Sequence, residues 1–140
     1  AHHLYPGQNV LVIDVGTCIT YDLIDENGTH HGGGISPGVD MRLKAMHKFT
    51  SKLPVISAKR SADLIGKTTK ECMMSGAVNG TIAEIEGTIL RYRQFFSDLT
   101  IIFCGGGANF FETKIKDHIF AIPNLVLVGL NQILRFNLND

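Results

Sequence analysis

The run Val10-Leu11-Val12-Ile13 is apolar at every position and stops abruptly at Asp14-Val15-Gly16-Thr17. A short strand without polar alternation belongs in the middle of a sheet covered on both faces. The Asp-x-Gly-Thr that ends it is a tight turn. Gly16 lets backbone N–H groups approach phosphate oxygens closely, and Thr17 adds a hydroxyl donor. Asp14 would repel phosphate and serves instead to hold a cation that binds it. Asp-x-Gly turns are common, so the motif needs support from the rest of the chain.

The residues that follow supply a sheet. Ile19, Tyr21 and Leu23 alternate with Thr20, Asp22 and Ile24, as in a strand. Asn27-Gly28 marks a hairpin, because both residues tolerate positive φ, and Thr29 to Ile35 returns as a third, glycine-rich strand. The chain therefore opens as an antiparallel three-strand meander. Met41, Leu43, Ala45 and Met46 suit a helix ending near Phe49, residues 50–67 read as irregular, and a long helix is predicted from about Thr69 to Phe96. Its stripe is Val78, Ile82, Ile85, Ile89, Tyr92 and Phe96. Gly76, Gly80 and Gly87 fall near one face of that helix, where another backbone from this chain or from a second subunit could approach.

Leu99 to Phe103 is a second buried strand, running into Cys104-Gly105-Gly106-Gly107. A shorter helix to about His118, an apolar stretch from Leu125 to Val128 and a closing helix near Leu130–Phe136 complete the pattern. Strands first, then alternating helices and strands, predict a single α/β domain over residues 1–140, with helices against a mixed sheet. A strand-to-Gly-Gly turn can admit a flat nucleotide against its backbone. With Asp14–Thr17 it reads as two walls of a nucleotide cleft.

Composition narrows the function classes. Thirteen basic and thirteen acidic residues cancel, so no global field favours nucleic acid or an anionic membrane. Cys18, Cys72 and Cys104 are odd in number and form no Cys-x-x-Cys pair, which points to reduced thiols and a cytoplasmic setting. No apolar run reaches the roughly 20 residues of a membrane span. His30, His31, His47 and His118 show no metal-ligand spacing.

Three other motifs fail. Gly34-Ile35-Ser36-Pro37-Gly38 fits the nucleophile elbow of hydrolases, but the N–H after the serine that an oxyanion hole needs is missing at Pro37. Gly66-Lys67-Thr68 ends like a Walker A loop, yet its first glycine would have to be Ser61. The glycine clusters at 32–34 and 105–107 place Pro37 or Phe110 where a dinucleotide motif needs glycine.

Taken in order, Val12-Ile13-Asp14-Val15-Gly16-Thr17, Gly33-Gly34-Ile35-Ser36-Pro37-Gly38, Thr50-Ser51-Lys52-Leu53-Pro54, Ile65-Gly66-Lys67-Thr68-Thr69, Ser75-Gly76 and Cys104-Gly105-Gly106 form a series. It resembles the second half of the type III pantothenate kinases, which belong to the actin-like superfamily of sugar kinases and heat-shock chaperones. Departures are small: Ser51 stands where alanine is usual, Thr68 where asparagine is common, and Cys104 where threonine is common.

The resemblance implies an actin-like (ribonuclease H-like) ATPase domain and ATP-dependent phosphorylation of pantothenate, the first step of coenzyme A biosynthesis. It makes Asp14 the ligand of a monovalent cation (K+ or NH4+) and Thr17 with Gly16 part of the ATP site. Gly105 and Gly106 become the adenosine-side turn. Thr69 contacts pantothenate across a homodimer interface, and Gly34 and Gly38 border the substrate cleft. Mg2+ comes with the nucleotide. The family also carries an earlier Asp-x-Gly-Asn-Thr loop and a Gly-x-Asp-Arg segment with the general base, neither of which occurs in these residues. The expectation is a C-terminal half that has no kinase turnover alone and needs the N-terminal half as partner. The alternative is a non-catalytic regulatory or binding relative of the same fold.

Overall fold

A computed structural model describes residues 1–59, 61–115 and 119–138. The meander forms as the sequence predicts: β1 (Asn9–Val15), β2 (Cys18–Ile24) and β3 (His30–Pro37) pair antiparallel. After α1 (Val39–Lys48) and α2 (Thr69–Arg93), β4 (Leu99–Cys104) joins β1 in parallel. Then come α3 (Ala108–Glu112), β5 (Ile119–Ala121) and α4 (Leu125–Leu138). The result is a five-stranded mixed sheet of order β3-β2-β1-β4-β5.

The apolar run of β1 is explained by its place at the centre. Leu11, Ile13 and Val15 face one core with Ile19, Ile85, Ile89, Ile101 and Phe103. Val10 faces the other side, against Ile102, Cys104 and Leu125. Between β1 and β2 the register sets Ile13 opposite Tyr21 and Asp14 opposite Thr20. Between β1 and β4 it sets Asp14 opposite Cys104. At the Asn27-Gly28 hairpin only Gly28 takes positive φ (+83°), and Asp25 Oδ1 accepts from the amides of Asn27 and Thr29, both at 2.9 Å. The aspartate side chain organises this turn, so Asn27 does not need the left-handed region.

α2 begins where its cap dictates. Thr68 Oγ1 accepts from the Glu71 amide (3.3 Å), and Glu71 Oε2 accepts from the amides of Thr68 (3.0 Å) and Lys67 (2.8 Å). This reciprocal box satisfies donors that would otherwise be orphaned at the helix start. Val78, Ile85 and Ile89 are buried as the stripe predicts, with Ile82, Tyr92 and Phe96 partly buried. The helix closes at Arg93, before Phe96, where the amides of Gln94 (3.2 Å) and Phe95 (3.0 Å) bond only three residues back, to the Arg91 and Tyr92 carbonyls, and tighten the last turn.

Three readings need correction. A Cβ built at Gly76, Gly80 or Gly87 would meet nothing within 4 Å, so no segment of this chain packs closely on that face among the described residues. The stretch from Leu125 and the closing helix are one element, α4, with Gly129 inside it. β5 was not anticipated: it is three residues long and pairs only through Ile101–Phe103 of β4. The end of the short helix near His118 lies outside the described residues. No described helix is long and apolar enough to cross a membrane.

Candidate functional site

Because β1 and β4 are parallel neighbours, their carboxyl ends deliver two turns side by side, a position where open α/β sheets commonly take ligands. Gly105 has φ +81°, and a Cβ there would overlap Asp14 Oδ1 and lie 2.7 Å from the Val15 carbonyl oxygen. The Gly107 amide donates to that same Val15 carbonyl at 2.9 Å. The Gly105–Gly107 turn is thus bonded to the Asp14–Thr17 turn, and Gly105 is required by backbone conformation and space together. Gly106 differs: it is exposed, with nothing within 4 Å of a Cβ position.

The third wall is the β3–α1 turn. The Gly38 amide donates to the Thr17 carbonyl at 3.0 Å, and a Cβ at Gly38 would overlap the Gly16 carbonyl oxygen. The Gly16 amide is held by the Cys18 carbonyl at 2.9 Å, and Gly16 and Thr17 are both exposed. A cleft of about 390 Å³ opens beside these turns, lined by Gly16, Val39, Asp40, Lys59, Gly106 and Phe110 among others.

Asp14 is half-buried beside Cys104, whose thiol is fully buried. Burial, then the charge and hydrogen bonding of Asp14, push the Cys104 thiol up to about 12. Cys104 is therefore a neutral S–H at physiological pH, a donor to Asp14 rather than a reactive thiolate. The described residues contain no cluster of three or more His, Cys, Asp or Glu placed to hold a metal. A monovalent cation needs a different set, of hard oxygen donors. The Asp14 carboxylate, against the Cβ-less Gly105, offers one oxygen of that kind.

The structure brings Asp14, Gly16, Thr17, Gly38, Gly105 and Gly106 to one end of the sheet. It does not bring Gly34 or Thr69 to the same cleft. Gly34 pairs with Tyr21 on the edge strand, roughly 10 Å back along β3 from the turn. Thr69 is the exposed first residue of α2. It adjoins a larger cleft of about 820 Å³ whose lining includes Lys59, Lys70, Glu71 and Met74. Lys59 lines both clefts, a role that its polar, irregular stretch of sequence gave no means of finding. Ser36 donates to the Glu84 carboxylate, and this partner, with no amide at Pro37, is not that of a hydrolase nucleophile.

The fold and these turns define a mixed α/β domain with paired glycine turns at the ends of adjacent parallel strands. The same fold occurs in the crystal structure of a Campylobacter jejuni protein described as a Baf family transcriptional activator. That match has a TM-score of 0.70 and 24% identity, covering 95% of this chain and 60% of the other. Residues 1–91 match the family model of the type III pantothenate kinases, and the chain belongs to that family. A relative from Christiangramia forsetii named type III pantothenate kinase is 50% identical over 137 residues, covering 98% of this chain and 56% of the relative. One of the same name from Phocaeicola vulgatus is 46% identical, covering 98% of this chain and 57% of its own length. The chain thus spans a little over half the length of these relatives.

Proposed function

We propose that this chain is the phosphate-gripping, actin-like domain of an ATP-dependent pantothenate kinase. The observation that carries this reading is the bonded pair of turns, Asp14–Thr17 and Gly105–Gly107, at the ends of β1 and β4. The family and the names of its relatives supply the substrate. Residues 1–140 act as one domain, in the cytoplasm.

In the proposed reaction the primary hydroxyl oxygen of pantothenate bonds to the γ-phosphorus of ATP. The bond to the β,γ-bridging oxygen breaks and ADP leaves. Little covalent chemistry falls to the protein, so catalysis rests on positioning and on neutralising phosphate charge. The Gly16 amide is already given to the Cys18 carbonyl, so the Thr17 hydroxyl would donate to phosphate oxygens, with Gly16 leaving the backbone open to their close approach. The open surface of Gly106 would receive the adenosine side, with Gly105 holding that turn against β1. Asp14 would hold K+ or NH4+, which supplies positive charge near the phosphates, and Mg2+ arrives on the nucleotide. The hydroxyl proton goes to a general base expected from the part of the relatives that this chain does not span. Gly38 would border the pantothenate side.

Thr69 would reach pantothenate from a second subunit. Its exposure at the start of α2, away from the cleft at Gly16, agrees with service to a neighbouring site. The unpacked glycine face of α2 leaves room for that homodimer.

The test is a chimera in which these residues replace the matching part of the Christiangramia forsetii relative. Pantothenate-dependent ADP release by the chimera is the expected result. A folded chimera that binds ATP and never turns over would overturn the kinase reading in favour of a regulatory relative.

A further inference from the structure

A polar cluster that the proposed chemistry leaves unused centres on Glu84, midway along α2. Tyr21 Oη donates to Glu84 Oε1 at 3.0 Å, and Ser36 Oγ donates to the same oxygen. Arg42 Nη2 donates to Oε2, while Arg42 Nε donates to the Pro37 carbonyl at 2.8 Å. Three donors from β2, β3 and α1 thus converge on one carboxylate of α2. The pair is not a surface ornament, since the Arg42 and Glu84 side chains are only 22% and 28% exposed. Burial would raise the Glu84 carboxyl, but the hydrogen bonds from Ser36, Arg42 and Tyr21 outweigh it and hold the group below the usual range. Burial and then Glu84 push the Tyr21 phenol well above its ordinary value.

What these contacts grip is the Ser36-Pro37-Gly38 turn. Glu84 holds Ser36 directly and Pro37 through Arg42. The next residue, Gly38, donates to the Thr17 carbonyl at 3.0 Å and fits so tightly that a Cβ would lie 2.7 Å from that oxygen. The chain of contact therefore runs Glu84, Arg42, Pro37, Gly38, Thr17. An ion pair near a protein surface adds little to stability by itself. Anchoring of this kind instead restricts which conformations a backbone turn visits, and preformed donors are what an anion site needs.

We propose that Glu84 is a positioning residue for the Gly16–Thr17 turn, acting through Ser36 and Arg42 on Gly38. The inference rests on the reading of that turn as the phosphate site. Two substitutions separate its parts. Glu84→Gln keeps an acceptor for Tyr21 and Ser36 but presents an N–H group to Arg42. Arg42→Lys keeps the charge but loses the forked geometry that spans Glu84 and Pro37.

The experiment is amide hydrogen exchange by NMR on the 140-residue chain, with Mg-ATP titration of the same samples. The Gly16 and Gly38 amides report the turn, and the Ile101 and Phe103 amides of β4 serve as reference. Both variants are expected to accelerate exchange at Gly16 and Gly38 by about tenfold relative to the reference, with ATP affinity falling by a similar factor. The melting temperature should move by a few degrees at most. Unchanged relative exchange, or equal acceleration of turn and reference amides, would overturn the positioning role and leave the nucleotide reading standing. Selective acceleration in a protein that binds no ATP would support the positioning role and count against the nucleotide reading. Should Glu84→Gln fail to fold, Arg42→Lys alone decides between these results.

Discussion

Gly105 and Asp14 sit face to face across the ends of two parallel strands, so close that a Cβ on the glycine would overlap the aspartate Oδ1. Gly105 also has φ +81°, where an L side chain is strained. Gly105→Ala should therefore cost at least about 2 kcal/mol of stability. Gly106→Ala, in open space, should change stability by no more than about 0.5 kcal/mol, yet weaken nucleotide binding if the adenosine lies against that backbone. Denaturant unfolding and ATP titration of the two variants check this. A stable Gly105→Ala protein would contradict the geometry.

The buried Cys104 thiol sets an alkaline limit. Its folded-state value is about 12 against an ordinary value of 9.0, so deprotonation is disfavoured in the native state. For a raised pKa the contribution is complete below the unfolded value and fades as pH rises through the folded one. Stability should fall between pH 9 and about 12. Tyr21, also raised, adds to the loss above its ordinary value of 10.0. Thermal melts from pH 8 upward should show a shallower decline for Cys104→Thr than for the native sequence. Identical slopes would mean that Cys104 does not titrate as its setting requires.

Glu84 sets the acid side. Its folded pKa is depressed below an ordinary 4.5, so its contribution is present above that pH and is lost as pH falls through the folded value. Acid unfolding below pH 4.5 should be less steep in Glu84→Gln than in the native sequence. Fluorescence-detected acid titration measures it, and parallel curves would contradict the assignment.

The central sheet was legible because its signals are local. An uninterrupted apolar run fixes β1 at the centre, and Asn27-Gly28 fixes the hairpin. β5 escaped because three residues are too few for periodicity to register. α4 escaped as one helix because Leu127, Leu130, Ile133, Leu134 and Phe136 leave no clean polar face, and all of them are exposed. The glycine turns announced the site. The cluster on Glu84 did not, since Ser36 and Glu84 meet across 48 residues of sequence.

The isolated chain should bind ATP but show no pantothenate-dependent ADP release above background, because the general base is expected from the part of the relatives it does not span. Steady-state ADP production with and without pantothenate measures this. Clear turnover by these residues alone would place the base within them.

The central claim is tested most directly by potassium dependence in the chimera with the Christiangramia forsetii relative, beside its Asp14→Ala variant. The account predicts turnover that K+ stimulates, and a loss in Asp14→Ala of about a hundredfold or more, the scale of one electrostatic contact to a transferring group. Equal turnover with and without K+, or an Asp14→Ala variant as active as its parent, would contradict it.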